Sequence, residues 1–361
     1  MGRILLPRIL VRPLLPPEPI MTARIQPQHM HWQVGRYRER LRSGPGGLGR
    51  GRVWVAEREG EQHNLILNQF YDALIPSYGL LGPSQYAVVG TGSTAPSPTQ
   101  TGLVSEVARS NAVPSGESNQ AIYISPGVYD IKRVYEFGEA QVGGRNLTEW
   151  GFGPVAAAGG NLMTRELFRD TNGTPVVLTL ASDQRLRLIY KYRVTLGPTT
   201  PQPVTVNING VGPRTAQFIV TGKLGGSGAQ SYSTSVSGVD FWGGQYYGDL
   251  IVADFASRGV GTQGGVMLVN SAMPLTYLHS GQVSSNGPTP TYEPPVGRSR
   301  RWSRLYAPDE ANMTIVSVVL VTAVGYSSGP TVNLVFDSGQ AITKTNLYKL
   351  LIGYWTLTWG P

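Results

Sequence analysis

The segment Arg185–Leu196, RLRLIYKYRVTL, carries the clearest strand pattern in the chain. Its even positions, from Leu186 to Leu196, are apolar or aromatic, whereas four of its odd positions are arginine or lysine. Because successive side chains of a strand point to opposite faces of a sheet, this alternation predicts a half-buried antiparallel strand. The cationic face is either solvated or a contact surface for an acidic partner, and solvation is the simpler interpretation.

The flanking sequence extends this pattern in both directions. The 361 residues include 46 glycines and 27 prolines, and only 14% are charged, which suits many short strands joined by turns. The Asn-Gly pair within Asp170–Gly173 is typical of a hairpin turn. A short helix is predicted near 63–75. Further strands are predicted at 53–55, 84–90, 119–124, 128–137, 146–152, 161–168, 175–180, 204–209, 217–221, 250–255, 266–269, 314–324, 331–336 and 347–359.

A glycine-rich stretch at Ser84–Ser110, SQYAVVGTGSTAPSPTQTGLVSEVARS, has the outline of a phosphate-binding loop. A dinucleotide fingerprint needs a third glycine in the first helical turn, and a Walker-type loop needs Gly-Lys-Ser/Thr. Neither follows Gly90 and Gly92. Ser97 and Gln100 instead resemble a capping box, with a proline at the first helical position. We therefore expect a strand, a wide turn and an amphipathic helix, without a nucleotide site.

Several classes of function lack their signature residues. The absence of cysteine excludes disulfides, thiol catalysis and thiolate metal sites. His29 and His31 have no carboxylate or third ligand beside them in sequence, so no metal site is predicted. Carboxylate pairs such as Glu136 and Glu139 are too weak a signal for glycoside hydrolysis. No apolar run reaches about 18 residues, so no membrane span is predicted. The sequence predicts no enzyme and no cofactor.

The positive charge of the chain is concentrated at its start. Residues 1–52 contain ten arginines and two glutamates, whereas the rest of the 30 basic and 22 acidic residues balance at 20 each. Proline and glycine interrupt this region, so neither a long helix nor a central strand is expected in ILLPRILVRPLLPPEPI or SGPGGLGRGR. The region is either an arm that docks on a neighbouring subunit or acidic surface, or a disordered leader, or the product of a start site assigned too early, with Met21 or Met30 as the true start.

The fold class predicted is mainly β, with one or more antiparallel β-sandwiches, one or two short helices and an extended N-terminal arm. Four regions are expected: a basic arm at 1–60, a β-sandwich domain with short helices at 61–198, a second β-rich domain or insertion at 199–340, and a C-terminal strand at 341–361 that returns to the first sheet. The polar, proline-rich run Gly197–Pro203 marks the central boundary.

Two sets of residues are candidates for binding. The first set comprises arginines expected at subunit contacts: Arg36, Arg38, Arg40, Arg42, Arg50, Arg52, Arg298, Arg300, Arg301 and Arg304. The second set comprises aromatic residues that could form a glycan platform: Trp242, Tyr246, Tyr247 and Trp302. Arginine also binds phosphate well, so nucleic acid is a weaker alternative partner for the basic arm.

Part of the chain resembles structural proteins of tailed bacteriophages. The resemblance covers Asn64–Leu196, through VVGTGSTAPSPTQTGLVSEVARS, the phrase LTEWGF and the run LMTRELF, and more loosely Ala341–Pro361. Residues 200–340 show no such resemblance. Members of that family are β-sheet virion components described as tail, neck, fibre or head-decoration proteins.

The resemblance implies a function in assembly. It implies a non-enzymatic virion protein whose partners are copies of itself and other virion proteins, with no membrane partner. The alternative is a receptor- or glycan-binding fibre module that recognises a host-surface glycan. A weaker third reading is a polysaccharide depolymerase.

Overall fold

The computed structural model describes residues 19–44, 47–73, 84–125, 128–208, 211–221, 236–237, 266–270, 291–292, 296–321 and 331–361. The first strands are β1 (Ile20–Gly44), β2 (Gly47–Gln62), β3 (Leu65–Ile66), β4 (Tyr86–Gly90), β5 (Glu106–Ser110), β6 (Gln120–Ser125), β7 (Val128–Phe137), β8 (Asn146–Leu147), β9 (Glu149–Gly153), β10 (Thr164–Leu167), β11 (Leu178–Thr179) and β12 (Arg185–Gly197). The remaining strands are β13 (Gln202–Ile208), β14 (Gly212–Thr221), β15 (Val236–Ser237), β16 (Val266–Val269), β17 (Thr291–Tyr292), β18 (Ser299–Tyr306), β19 (Thr314–Ile315), β20 (Ser317–Val321), β21 (Thr331–Phe336), β22 (Ile342–Thr343) and β23 (Leu350–Gly360).

The helices of the described part are α1 (Asn68–Ala73) and α2 (Glu139–Val142), and both are short. The predicted mainly β class is therefore confirmed, and α1 falls within the helix predicted near 63–75. No helix in the described ranges is long and apolar enough to cross a membrane.

A 14-stranded sheet organises the molecule. Its path runs β15-β6-β7-β12-β1-β23-β13-β14-β21-β20-β16, with β2 beside β1, β18 beside β23 and β17 beside β18. The strand predicted at Arg185–Leu196 is confirmed as β12, and its even side chains, from Leu186 to Leu196, are buried. β1 pairs antiparallel with β12 and parallel with β23. The first strand therefore lies between one from the middle of the chain and one from its far end.

A second, five-stranded sheet covers the large one. Its order is β3-β10-β9-β4-β5. Phe152 of β9 stacks on Tyr190 of β12, with ring centroids 4.6 Å apart, and Tyr135 of β7 lies 6.2 Å from Phe152. Both sheets contribute to one buried apolar cluster, as expected for two sheets that pack face to face.

The segment after β4 differs from its prediction. Gln100 does accept the backbone N–H of Ser97 at 2.8 Å, as in a capping box, but the chain makes only one turn there. Residues Glu106–Ser110 form β5, which pairs with β4, and Val107 packs against the core. The predicted helix is therefore wrong, because pairing with a neighbouring strand outweighs the local capping signal.

The second half of the chain continues the large sheet. After the cis Gly197–Pro198 bond the chain enters β13, which pairs with β14 along its whole length and with β23 at Ile208 and Ile352. The segment Arg298–Arg304 lies largely in β18, which pairs with β23. The strand predicted at 250–255 lies outside the described residues.

The basic N-terminal region also differs from a free arm. Residues 20–62 form the hairpin β1–β2, and Met30, Trp32 and Val34 of β1 are buried against β12. The pairing with β12 ends at Gly35, whereas β1 and β2 continue to pair up to Gly44 and Gly47. The lower half of the hairpin is thus part of the body, and the upper half extends about 30 Å beyond the last residue of β1 that pairs with β12. Residues 1–18 lie outside the described part.

Candidate assembly surface

The lower half of the β1–β2 hairpin is fixed by close packing. Trp32 lies opposite Gly60 in the hairpin register, and a Cβ at position 60 would come within 2.6 Å of the Trp32 ring. On its other side Trp32 pairs with Leu188 of β12. Glycine at position 60 therefore allows the indole to lie across β2, and this anchors the hairpin in the core.

A β-bulge marks the point where the hairpin leaves the body. Val34 pairs with Arg58 and Gly35 with Ala56, so Glu57 has no partner in the register. Gly35 suits this point, since a Cβ there would collide with the carbonyl oxygen of Val55. The bulge turns Glu57 toward the arginines of β1.

Three side chains donate hydrogen bonds to Glu57 at this junction. It accepts hydrogen bonds from Arg38 at 2.7 Å and Gln184 at 2.7 Å, and its contact with Arg36 Nε is 2.9 Å. Hydrogen bonds from Arg38, Gln184 and Arg36 lower the pKa of the Glu57 carboxyl to about 2. Arg36 also pairs with Asp183. The junction is therefore held by ion pairs at the surface of the body.

Above the junction, the arginines of β1 form a ladder on the face that continues from Trp32 and Val34. Arg36, Arg38, Arg40 and Arg42 occupy alternate positions, and their register partners in β2 are valine and glycine. Alternate residues of a strand repeat at about 6.6 Å on one face. Arg40 is exposed and forms no salt bridge within the described part of the chain. The side chain of Arg42 lies outside the description.

The opposite face of the hairpin carries an aromatic and charged cluster. The guanidinium of Arg187 lies 4.0 Å from the Trp54 ring centroid, and those of Arg185 and Arg52 lie 5.3 and 5.6 Å from that of Tyr37. On this face Arg50 lies 3.6 Å from Glu39, its one acidic partner among the described residues. The predicted contact arginines of the hairpin therefore divide between two faces.

Three of the four basic residues on the odd face of β12, Arg185, Arg187 and Arg193, have acidic partners within the chain. Glu136 of β7 accepts hydrogen bonds from Arg185 at 2.8 Å and Arg187 at 2.7 Å. Arg185 also pairs with Glu139 at 2.6 Å, and this contact is the main reason why its pKa is raised. Arg187 is buried, so the solvation that the sequence predicted for this face is wrong at Arg187.

The second set of predicted contact arginines lies around β18. Arg298 pairs with Asp72 of α1 at 2.9 Å and lies 4.6 Å from the Tyr71 ring centroid. Arg301 is half-buried. The side chains of Arg300, Trp302 and Arg304 lie outside the description, as do the residues Trp242, Tyr246 and Tyr247. The predicted glycan platform therefore lies outside the described residues and side chains and stays a prediction.

The glycine-rich loop that resembled a phosphate site binds a side chain of the protein itself. The carboxylate of Glu149 accepts the backbone N–H groups of Gly92 at 2.8 Å, Ser105 at 2.9 Å and Val104 at 3.2 Å. Arg165 of β10 completes this site, with Nη2 2.7 Å from Glu149 Oε2, and both side chains are fully buried. The amides thus do converge on an anion, and the anion is internal.

Sequence reasoning missed Glu149 and Arg165 as a pair. Glu149 is the one charged residue of the predicted strand at 146–152, and Arg165 lies in the predicted strand at 161–168 beside a second charged residue, Glu166. Two such residues of opposite sign are a signal for a buried ion pair, because neither could be buried alone. Arg165 also donates to Gln100 at 2.7 Å and to the carbonyl of Thr94 at 2.9 Å, which ties down the whole loop.

Two exposed glutamates lie at the base of the hairpin beside the histidines. Glu59 contacts His31 at 3.2 Å and accepts from Gln33 at 3.2 Å, and Glu61 contacts His29 at 3.4 Å. Each histidine therefore has a carboxylate beside it, which the sequence did not indicate. No group of three metal-ligating side chains occurs among the described residues. A cleft of about 410 Å³ adjoins this point, lined in part by His63, Glu166 and Arg169.

Comparison with protein-family models, with curated proteins and with solved structures gave no match to this chain.

Proposed function

We propose that this chain is a non-enzymatic structural component of a tailed-phage virion, and that it assembles as a homo-oligomer through its β-sheet body and the β1–β2 hairpin. The observation that carries the proposal is the projecting half of the hairpin. It pairs with no other described strand and presents a ladder of arginines with few acidic partners.

The distribution of charge supports an assembly role. Within the described body, arginines meet carboxylates of the same chain: Arg165 meets Glu149, Arg187 meets Glu136 and Arg193 meets Asp130. The surplus of positive charge is instead concentrated in the N-terminal region. A neutral body with one charged projection can dock by shape while the projection fixes the register of its partner.

The carboxylates that pair with arginine also suit a structural role. Glu57, Glu136 and Glu149 each bind at least one arginine together with another donor. The virion context itself comes from the resemblance of Asn64–Leu196 to tailed-phage structural proteins.

A truncated hairpin tests the proposal. Residues 38–53 are removed and an Asn-Gly turn joins Tyr37 to Trp54, which are register partners in the hairpin. We expect native circular dichroism and an unchanged melting temperature, but loss of the oligomer in analytical ultracentrifugation. Substitution of the exposed Arg145 by alanine is the matched control and should leave assembly intact.

Two results would count against the proposal. The full-length chain could remain monomeric at every concentration, or mass spectrometry of purified particles of the phage that encodes it could fail to detect it. A fixed copy number per particle is the expected result.

A further inference from the structure

We propose that the hairpin of one copy docks on the hairpin of the next, with Arg38 and Arg40 of one copy pairing with Glu59 and Glu61 of its neighbour. This contact rests on the homo-oligomer proposed above and specifies which surfaces form it. The partner that binds the arginine ladder is thus a second copy of this chain.

The acidic half of the contact lies at the base of the hairpin. The side chains of Glu59 and Glu61 are 58% and 63% exposed. Their described contacts are His31, Gln33 and His29, and none of these is an arginine or lysine. Both carboxylates are therefore exposed and have no arginine or lysine partner among the described residues.

The basic half lies on β1 beyond Gly35, in the upper half of the hairpin, which we call the tip. Arg38 is 59% exposed and uses one nitrogen, Nη2, for Glu57. Arg40 is exposed, and its register partner is Gly51, so no acidic side chain lies opposite it. A guanidinium has five N–H donors, so both arginines retain most of their capacity for a second carboxylate.

The spacing of the two halves is the same. Arg38 and Arg40 are alternate residues of β1, and Glu59 and Glu61 are alternate residues of β2. Each pair therefore repeats at about 6.6 Å along one face of its strand. Two arginine–carboxylate contacts can form at once when the strands lie side by side, and each fixes the register of the other.

The same contact cannot form within one chain. Glu59 lies opposite Gln33, and Arg40 is seven residues further along β1, which is about 23 Å. Arg40 also shares the face of Trp32, whereas Glu59 shares that of Gln33. The tip must therefore meet the base of another copy. Such a head-to-tail contact uses different surfaces on the two partners and generates a ring or a filament.

The acidic residues along the hairpin favour a protein partner over nucleic acid. Glu39, Glu57, Glu59 and Glu61 all lie on β1 or β2. A phosphate backbone laid along the hairpin would meet these carboxylates as well as the arginines, and the like charges would repel. A second copy instead presents one end that is basic and one that is acidic.

Charge reversal tests the contact in the full-length chain. One variant carries R38E and R40E, and a second carries E59R and E61R. We expect each alone to raise the concentration for half-dissociation by about tenfold or more in mass photometry, because like charges then face each other. An equimolar mixture should regain assembly, because the acidic tip of one variant fits the basic base of the other.

Two controls keep the outcome clear. The melting temperature shows whether each variant is folded. If a charge-reversal variant unfolds, the neutral variants R38Q/R40Q and E59Q/E61Q replace it. We expect these neutral variants to weaken assembly several-fold. Higher salt should weaken the wild-type oligomer, because both halves are exposed.

The outcomes separate the two proposals. If the wild type is oligomeric and the folded variants assemble equally well, or if the mixture fails to recover, this contact is wrong while the homo-oligomer stands. If the wild type is monomeric, both fail. A wild-type monomer that retards a random-sequence DNA duplex with a steep salt dependence would assign the ladder to nucleic acid instead.

Discussion

Two arginine–glutamate pairs in this molecule have similar geometry and opposite surroundings. Arg165 lies 2.7 Å from Glu149 in the body, and Arg36 lies 2.9 Å from Glu57 at the base of the projecting hairpin. The first pair is fully buried, whereas the side chains of the second are partly exposed. Burial makes the first pair costly to break, because either charge left alone would be buried without a counter-charge. Exposure leaves the arginines around the second pair available to another surface.

The largest expected effect comes from breaking the buried pair. Glu149→Gln leaves Arg165 buried without a counter-charge and places an amide NH₂ beside the backbone N–H groups of the loop. We expect the free energy of unfolding to fall by about 3–5 kcal/mol in urea denaturation. The double variant E149L/R165M should recover part of the loss, since it removes both charges. A single variant as stable as the wild type would contradict this role.

The loop around the buried pair should show the next largest effect. In Gly92→Ala the new Cβ would collide with Glu149 Oε1 and Val104 Cβ. We expect a loss of about 1–3 kcal/mol, because the buried carboxylate would have to move. Gly102→Ala in the same loop is the matched control, since its Cβ would lie 3.5 Å from its nearest neighbour. Equal melting temperatures for the two variants would show that the loop tolerates the displacement.

The exposed pair should matter locally and little for global stability. In Glu57→Gln the arginines Arg36 and Arg38 lose their shared anion. We expect the midpoint of urea unfolding to stay close to that of the wild type. Amide exchange in the projecting half of the hairpin should be several-fold faster, because the junction opens more readily. A global loss as large as that of Glu149→Gln would remove the distinction between the two regions.

Acid should affect the same junction over a defined range. The pKa of Glu57 is lowered from 4.5 to about 2 in the folded state, so its ion pairs stabilise the junction fully above pH 4.5 and are lost as the pH falls toward 2. We expect the exchange protection of hairpin amides, corrected for intrinsic rates, to decrease across this window in the wild type. Glu57→Gln should show no such decrease. Identical profiles would mean that Glu57 does not hold the junction.

The comparison also shows what the sequence could reveal. The strand β12 was predictable because the period-two alternation of RLRLIYKYRVTL is a local property. The helix expected after Ser97 was not borne out, because the loop amides bind Glu149 and β5 pairs with β4, and both are contacts between segments distant in sequence.

The hairpin illustrates the same limit. Composition located the excess of arginine, but the burial of Trp32 depends on β12, and the position of Glu57 depends on a bulge. The arginines that share a face can be identified only once β1 is known to be a strand, because alternate residues of a strand lie on the same face. The sequence did not single out Glu59 and Glu61. What distinguishes them is the lack of an arginine or lysine partner among the described residues, and only the folded structure shows this.

The parallel pairing of β1 with β23 has a consequence for how the chain folds during synthesis. Ala23 pairs with Leu196 on one side and with Trp359 on the other. During translation Leu196 leaves the ribosome before Trp359, so the edge of β1 that pairs with β23 stays unpaired for longer than the edge that pairs with β12. An unpaired strand edge can pair with a strand of another chain. The parallel pairing of β1 and β23 can therefore protect this edge only after residues 350–360 have been made.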